Sequence, residues 1–239
     1  MSRGVAMQLE IPAATLGLAP GVGGEGDTSR FASSLVTIFD PFQASAEAIR
    51  ALRTHVMAQH VHEGRRALAV CAASPRVGAT FIATNLAVAL SQIGVKTLLV
   101  DGDLRNPGID RVIQPRREAA GLLQCLTSDE NDFGDYVDRD ILPNLSVMYA
   151  GGVASHPQEL LASAQFDALM DYCLRDFDAT IVDTPPANSC SDARRISTVA
   201  GYSLIVARRH KSLVDDVKTL AGQLQADHAR IVGTVLNEG

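Results

Sequence analysis

Two hydrophobic patterns alternate along this chain: short continuous apolar runs, and longer segments in which apolar residues recur every three or four positions. The run LAVCAA (68–73) is flanked by polar residues and predicts a strand buried on both faces. Thr80 to Ile93 carries the 3.6-residue repeat of a helix ended by Gly94. The alternation continues through TLLVDGD (strand), GLLQCLT (short helix), LSVMYAG (strand), PQELLASAQFDALMDYCLR (one helix) and ATIVDT (strand). It closes with SDARRISTVA (helix), SLIVARR (strand), LVDDVKTLAGQLQ (helix) and RIVGTVLN (strand). Alternating strand and helix units predict an α/β fold: a doubly wound, mainly parallel sheet flanked by helices on both faces. In such sheets a ligand lies beyond the carboxyl ends of the strands.

Ahead of the first strand, Asp40-Pro41 reads as a helix start. Aspartate is the N-cap, proline lies in the first turn, and Gln43 completes a capping-box-like pair for a helix running to about His60. Residues 1–34 include GLAPGVGGEGD and lack periodicity, which predicts a flexible lead before a single domain over 35–239.

Composition changes this picture little. With 239 residues, 46% hydrophobic and 20% charged, the chain fits one substantial soluble domain. A formal net charge of −6 argues against a nucleic-acid partner, which calls for a basic surface. Cys71, Cys125, Cys173 and Cys190 form no C-x-x-C pair, so neither a zinc site nor a disulfide framework is expected and a reducing, cytoplasmic setting is. No run approaches the roughly 18 apolar residues of a bilayer span.

Candidate chemistry concentrates at the carboxyl ends of the predicted strands. Ala73 to Thr80, ASPRVGAT, has the outline of a phosphate loop, G-x-x-x-x-G-K-[ST]. Such a loop cradles phosphates with backbone N–H groups, reaches them with its lysine and holds Mg²⁺ with its hydroxyl. Gly78 and Thr80 are in register, but the lysine position is Ala79. Asp101 and Asp103 close one strand and Asp183 another. A hard cation prefers carboxylate and hydroxyl oxygens, so Thr80, Asp183 and one of the pair at 101 and 103 make a plausible metal corner. On the predicted helix from Pro41 to about His60, Glu47, Arg50 and Arg53 recur every three residues and share one edge.

Taken together, NLAVALSQIGVKTLLVDGDLRNP (85–107), AGGVASHPQELLAS (150–163), VDTPPANSCSDA (182–193) and VLN (235–237) resemble the cytoplasmic domain of bacterial tyrosine kinases, the BY-kinases of CpsD/CapB type. These are deviant P-loop proteins related to MinD and ParA. The resemblance spans about residues 35–237 and implies ATP or ADP with Mg²⁺ as cofactors. It implies nucleotide contacts from Ser74, Pro75, Arg76, Val77, Gly78, Ala79, Thr80 and Asn237. Metal ligation would fall to Thr80, Asp101 and Asp183, and catalytic roles to Asp101 and Asp103. E-x-x-R-x-x-R, here Glu47, Arg50 and Arg53, would dock on a neighbouring subunit in a homo-oligomer. The partner it implies is a separate membrane polysaccharide co-polymerase, which would recruit this cytoplasmic chain to the inner face of the plasma membrane to regulate exopolysaccharide or capsule synthesis and export.

The chain departs from the family at two points. The loop lysine is Ala79, with Arg76 where a glycine is usual, and the four tyrosines are dispersed at 136, 149, 172 and 202 rather than gathered in a C-terminal tail. A hydrogen bond to a charged group contributes about 1.5–3 kcal/mol, so loss of the lysine weakens nucleotide binding by roughly 10- to 150-fold. Catalysis suffers more, since positioned positive charge is worth about 10³ to 10⁵ in phosphoryl transfer. The expectation is therefore a nucleotide-binding regulator with impaired catalysis. Two readings compete with it: an active tyrosine autokinase using Arg76 in place of the lysine, and a nucleotide-free scaffold.

Overall fold

The structure is a computed structural model that describes residues 28–116, 120–128 and 132–238. The reading of residues 1–27 as a flexible lead lies outside it. The continuation of that lead to residue 34 does not hold in detail. Gln114 N–H donates to Arg30 O and Ala32 N–H to Val112 O, both at 2.8 Å, and Phe31 pairs with Ile113 in an antiparallel bridge. The domain therefore takes in residues ahead of Leu35.

Seven strands form one sheet in the order β3-β4-β2-β5-β1-β6-β7. They are β1 (Ala67–Cys71), β2 (Thr97–Asp101), β3 (Asp138–Leu142), β4 (Leu145–Met148), β5 (Ala179–Asp183), β6 (Tyr202–Arg208) and β7 (Arg230–Asn237). All neighbours pair in parallel except β3, which runs antiparallel to β4 at the edge. β1, β2, β4 and β5 are buried at every position, as continuous apolar runs flanked by helices on both faces require.

The alternation of side chains along β1 sorts the core into two layers. Leu68 and Val70 face α2 (Ala44–Gln59) and α3 (Ala79–Ser91), where Ile49, Leu52, Val56, Ile82, Leu86 and Leu90 are essentially sealed from solvent. Ala67, Ala69 and Cys71 face α6 (Ala164–Asp176), α7 (Asp192–Ala200) and α8 (Val214–Ala226), through Phe166, Leu169, Ile196, Leu220 and Leu224. Each layer removes apolar surface from water at about 25 cal/mol per Å², and together they lock the strand register.

That register fixes the site. Asp101 at the end of β2 lies opposite Asp183 at the end of β5, and Val70 of β1 lies opposite the same Asp183. Three strand ends therefore converge where β1 runs into the loop and α3.

Three local expectations are corrected. Asp40 does not cap α2; it ends the short helix α1 (Val36–Phe39), its N–H donating to Val36 O, and α2 begins after Gln43. The helix read over 157–175 is two, α5 (Pro157–Leu161) and α6, because the Ser163 side chain accepts from Phe166 N–H and caps a new start. The edge strand β3 had no apolar pattern to announce it, since Asp138, Arg139 and Asp140 are the charges that blunt an exposed edge. The short helix α4 (Leu122–Thr127) falls where expected. Among the described residues no helix is long and apolar enough to cross a membrane.

Candidate functional site

A cleft of about 570 Å³ opens at the carboxyl ends of β1, β2 and β5, within the range of small-molecule sites. Its floor is the loop: Ser74 through Thr80 all line it. Arg76 adopts a left-handed conformation (φ 58°) and Gly78 one still further from ordinary space (φ 100°). Gly78 is obligatory here, because a Cβ at that position would collide with the Asn237 amide. Among the described residues the backbone N–H groups of residues 76–80 form no hydrogen bond. They open the N-terminal end of α3, so the loop is a cradle of unspent donors at the positive end of a helix, which is the physical requirement for holding phosphate.

The acids lie opposite the loop, Asp103 in the cleft wall and Asp183 buried behind it. Thr80 Oγ1 donates to Asp183 Oδ2 at 2.6 Å. Asp103 lines the cleft, where its Oδ1 accepts from the N–H groups of Arg105 (3.1 Å) and Asn106 (2.9 Å). Arg105, also in the wall, forms a two-pronged bond with buried Asp192 at 2.7 and 3.2 Å. Pro185, Pro186 and Ser189 close one side, while Gly108 and Arg111 close the other.

Asp101 is placed differently from its reading as a metal ligand and catalytic group. Like Asp183 it is 1% exposed and lies behind the cleft lining, but unlike Asp183 it accepts only from backbone N–H groups of its own segment. One carboxylate oxygen accepts from Asp103 N–H (3.2 Å), the other from Gly108 and Ile109 N–H (both 3.0 Å). It thereby holds the 101–109 segment that carries Asp103, Arg105 and Arg111.

Burial pushes the Asp101 carboxyl up to about 6 against those donating N–H groups. Asp183 lies well above the usual carboxylate range, first from burial and then from the charge of Asp101. A pair of buried carboxyls short of positive charge suits a divalent cation. Among the described residues no three His, Cys, Asp or Glu side chains gather to hold a metal by themselves. The set instead fits the Mg²⁺ habit of resting on one or two carboxylates with phosphate and water oxygens. Thr80, Asp183 and Asp103 are the side chains positioned to do so.

Of the other expected residues, Asn237 is buried beneath the loop rather than set in the cleft. Its Nδ2 donates to Val77 O at 3.0 Å, while its backbone O accepts from Arg209 N–H at 2.8 Å. Glu47, Arg50 and Arg53 do share an edge of α2, but the arginines turn inward. Arg50 donates to Pro41 O through both terminal nitrogens, and Arg53 to Ala89 O at 3.2 Å. Glu47 stays exposed and 3.5 Å from Arg50. The residues that sequence reasoning passed over are Arg105, Arg111, Arg208 and Lys211. The first two could have been suspected from their closeness to Asp103, whereas nothing in the sequence brings 208 and 211 to the loop.

These features are shared with known proteins. Residues 66–226 match the model of the AAA domain family. The chain belongs to the AAA domain family. It is 27% identical to the putative tyrosine-protein kinase CapB of Staphylococcus aureus over 198 residues, 83% of this chain and 86% of CapB. The solved chimerical protein CapA2B2 is 30% identical with a TM-score of 0.77, over 87% of this chain and 91% of that one. The kinase domain of the Escherichia coli tyrosine kinase ETK is 26% identical with a TM-score of 0.78, over 89% and 84%. Of the longer putative tyrosine-protein kinase EpsB of Ralstonia solanacearum, 29% identical over 82% of this chain, the AAA domain chain spans about a quarter, 26%. The resemblance to the BY-kinase domain is thus borne out, as is the doubly wound fold.

Proposed function

We propose that this chain is a nucleotide-binding regulator of BY-kinase type, impaired in phosphoryl transfer, that acts with a membrane co-polymerase in exopolysaccharide or capsule synthesis and export. One observation carries the reading: an intact cradle of unspent N–H groups at residues 76–80 around an alanine at 79, where the family's lysine would stand. The cradle and the acids at 103 and 183 favour retention of ATP or ADP with Mg²⁺. The missing ammonium removes the charge that phosphoryl transfer draws on most.

Thr80 and Asp183 would hold Mg²⁺, which would supply neutralisation of phosphate charge, and Asp103 is the acid in the wall that would take a proton from an incoming hydroxyl. Asp101 acts through the segment it holds. The chain's own tyrosines are poor acceptors, since Tyr149 and Tyr172 are buried and Tyr136 and Tyr202 half-buried. Co-assembly with a partner finds support in the likeness to the chimerical protein CapA2B2. A homo-oligomer through the start of α2 is supported by exposed Glu47 and by Phe42, 91% exposed; docking would require Arg50 and Arg53 to leave Pro41 O and Ala89 O.

Calorimetry with Mg-ATP alongside an ATP-dependent tyrosine phosphorylation assay tests the reading. Binding without phosphorylation is expected. Robust phosphorylation abolished by Asp103→Asn would overturn the impairment. Failure to bind millimolar Mg-ATP would leave the nucleotide-free scaffold. The active-autokinase reading has one observation in its favour, Arg76 in the cleft wall, and predicts that Arg76→Ala abolishes turnover.

A further inference from the structure

The turn between β6 and α8 brings two cations onto the loop. Lys211 Nζ donates to the carbonyl of Arg76 at 2.9 Å, and Arg208 Nη1 approaches the same oxygen at 3.5 Å. Two positive side chains thus converge on a single neutral acceptor, the carbonyl of a third cationic residue. Among the described residues none of the three forms an ion pair with a carboxylate. Desolvation first, and after it the charges of Arg76 and Arg208, hold the Lys211 ammonium below the usual lysine range.

The turn that presents these cations is fixed in place. Arg208 N–H donates to Ser212 Oγ at 2.9 Å, and the N–H groups of Lys211 and Ser212 donate back to Arg208 O at 3.2 and 2.9 Å. His210 takes the left-handed conformation that closes the turn (φ 58°). β6 pairs directly with β1, so this turn and the loop leave adjacent strands on the same edge. Lys211 is exposed and rotates on a flexible stem, so its ammonium can exchange a carbonyl for a stronger acceptor.

We infer that Lys211, with Arg208 beside it, supplies from the β6–α8 turn the positive charge that the loop lacks at residue 79, and that it binds the phosphates of a nucleoside polyphosphate. The inference rests on the nucleotide reading above and goes further, since it assigns the compensating residue. A phosphate oxygen bears full negative charge and attracts an ammonium more strongly than a peptide carbonyl does. The ligand class follows from the same charge: affinity should rise with the number of phosphates.

Calorimetry of AMP, ADP and ATP with Mg²⁺ tests this on the wild type, Lys211→Gln, Lys211→Arg, Ala79→Lys and the double variant Ala79→Lys/Lys211→Gln. Lys211→Gln should weaken ATP by about tenfold or more, ADP by less and AMP hardly at all. The melting temperature without nucleotide should be unchanged. Lys211→Arg should retain most of the ATP affinity. With Ala79→Lys present, the Lys211→Gln loss should shrink, because the two ammonium groups then serve the same phosphates. If the wild type binds Mg-ATP and Lys211→Gln binds it equally, the inference fails while the nucleotide reading stands. Equal losses for AMP, ADP and ATP would overturn it too, since they would place Lys211 at the nucleoside or in support of the loop. If neither the wild type nor Ala79→Lys binds any of the three nucleotides, the nucleotide reading itself fails.

Discussion

The two walls of the cleft are built on opposite principles. The loop wall works through its backbone: Val77 is sealed in, Gly78 adopts a conformation closed to other residues, and the donors of residues 76–80 belong to no side chain. The acid wall works through side chains, with Asp103 in the lining and, buried behind it, Asp101 folding the same segment and Asp183 accepting from Thr80. A substitution such as Ala79 therefore costs the loop wall its charge and leaves its shape, since shape there is set by the chain path. In the acid wall the same carboxylates serve as scaffold and chemistry, so a substitution there alters both at once.

The sharpest test of that contrast is Ala79→Lys. Restoring the ammonium to an undamaged cradle should raise phosphoryl transfer on the order of 10³-fold or more, read as ATP-dependent tyrosine phosphorylation of an added peptide. No gain would mean that the acid wall, too, is defective.

A second test exposes the cost of the acid wall. Asp101, raised to about 6, contributes stability that is fully present below pH ~4 and lost as pH rises through 6. Buried His60, lowered to about 4 by burial, contributes stability that is fully present above its ordinary value and lost as pH falls through 4. The two oppose each other across that window, each on the order of 3 kcal/mol, so urea unfolding of the wild type should vary little from these groups. In His60→Phe the slope of Asp101 should emerge, with stability falling as pH rises from 4 to 6, and Mg²⁺ with nucleotide should flatten it.

Against the loop wall, Gly78→Ala forces a side chain into the left-handed region and against the Asn237 amide. A loss of about 1–3 kcal/mol is expected, with nucleotide affinity lost alongside. The smallest of these effects is Asp183→Asn, which should remove the Mg²⁺ dependence of ATP binding, worth about tenfold or more. The same change should raise the melting temperature without nucleotide, since a buried charge is gone.

The features readable beforehand were those written in local pattern. The buried runs of β1, β2 and β5 and the repeat in α3 are periodic, and strand ends in a parallel sheet gather acids whatever their partners are. What escaped depends on contacts between distant segments. β3 is an edge held by pairing rather than by apolar burial. Asp40 and Ser163 each have the chemistry to cap a helix, and neighbouring packing decided which one does. Asp101 and Asp103 look alike in D-x-D, yet pairing with the N–H groups of Gly108 and Ile109 draws the first inward and leaves the second in the cleft. Lys211 stands 135 positions from the carbonyl it meets, a distance that no local reading crosses.

The bond from Asn237 to Val77 spans 160 positions, which bears on the order in which the site assembles. The cradle is encoded just after the first strand of the sheet, yet its brace arrives only with the last of these strands to be synthesised. Until β7 docks, the loop has its sequence but lacks the amide that holds its carbonyl and fills the space beneath Gly78. Ligand capture should therefore be a late event in folding. Conversely, a bound ligand should slow hydrogen exchange in β7, tying the far edge of the sheet to the state of a loop it follows by more than half the chain.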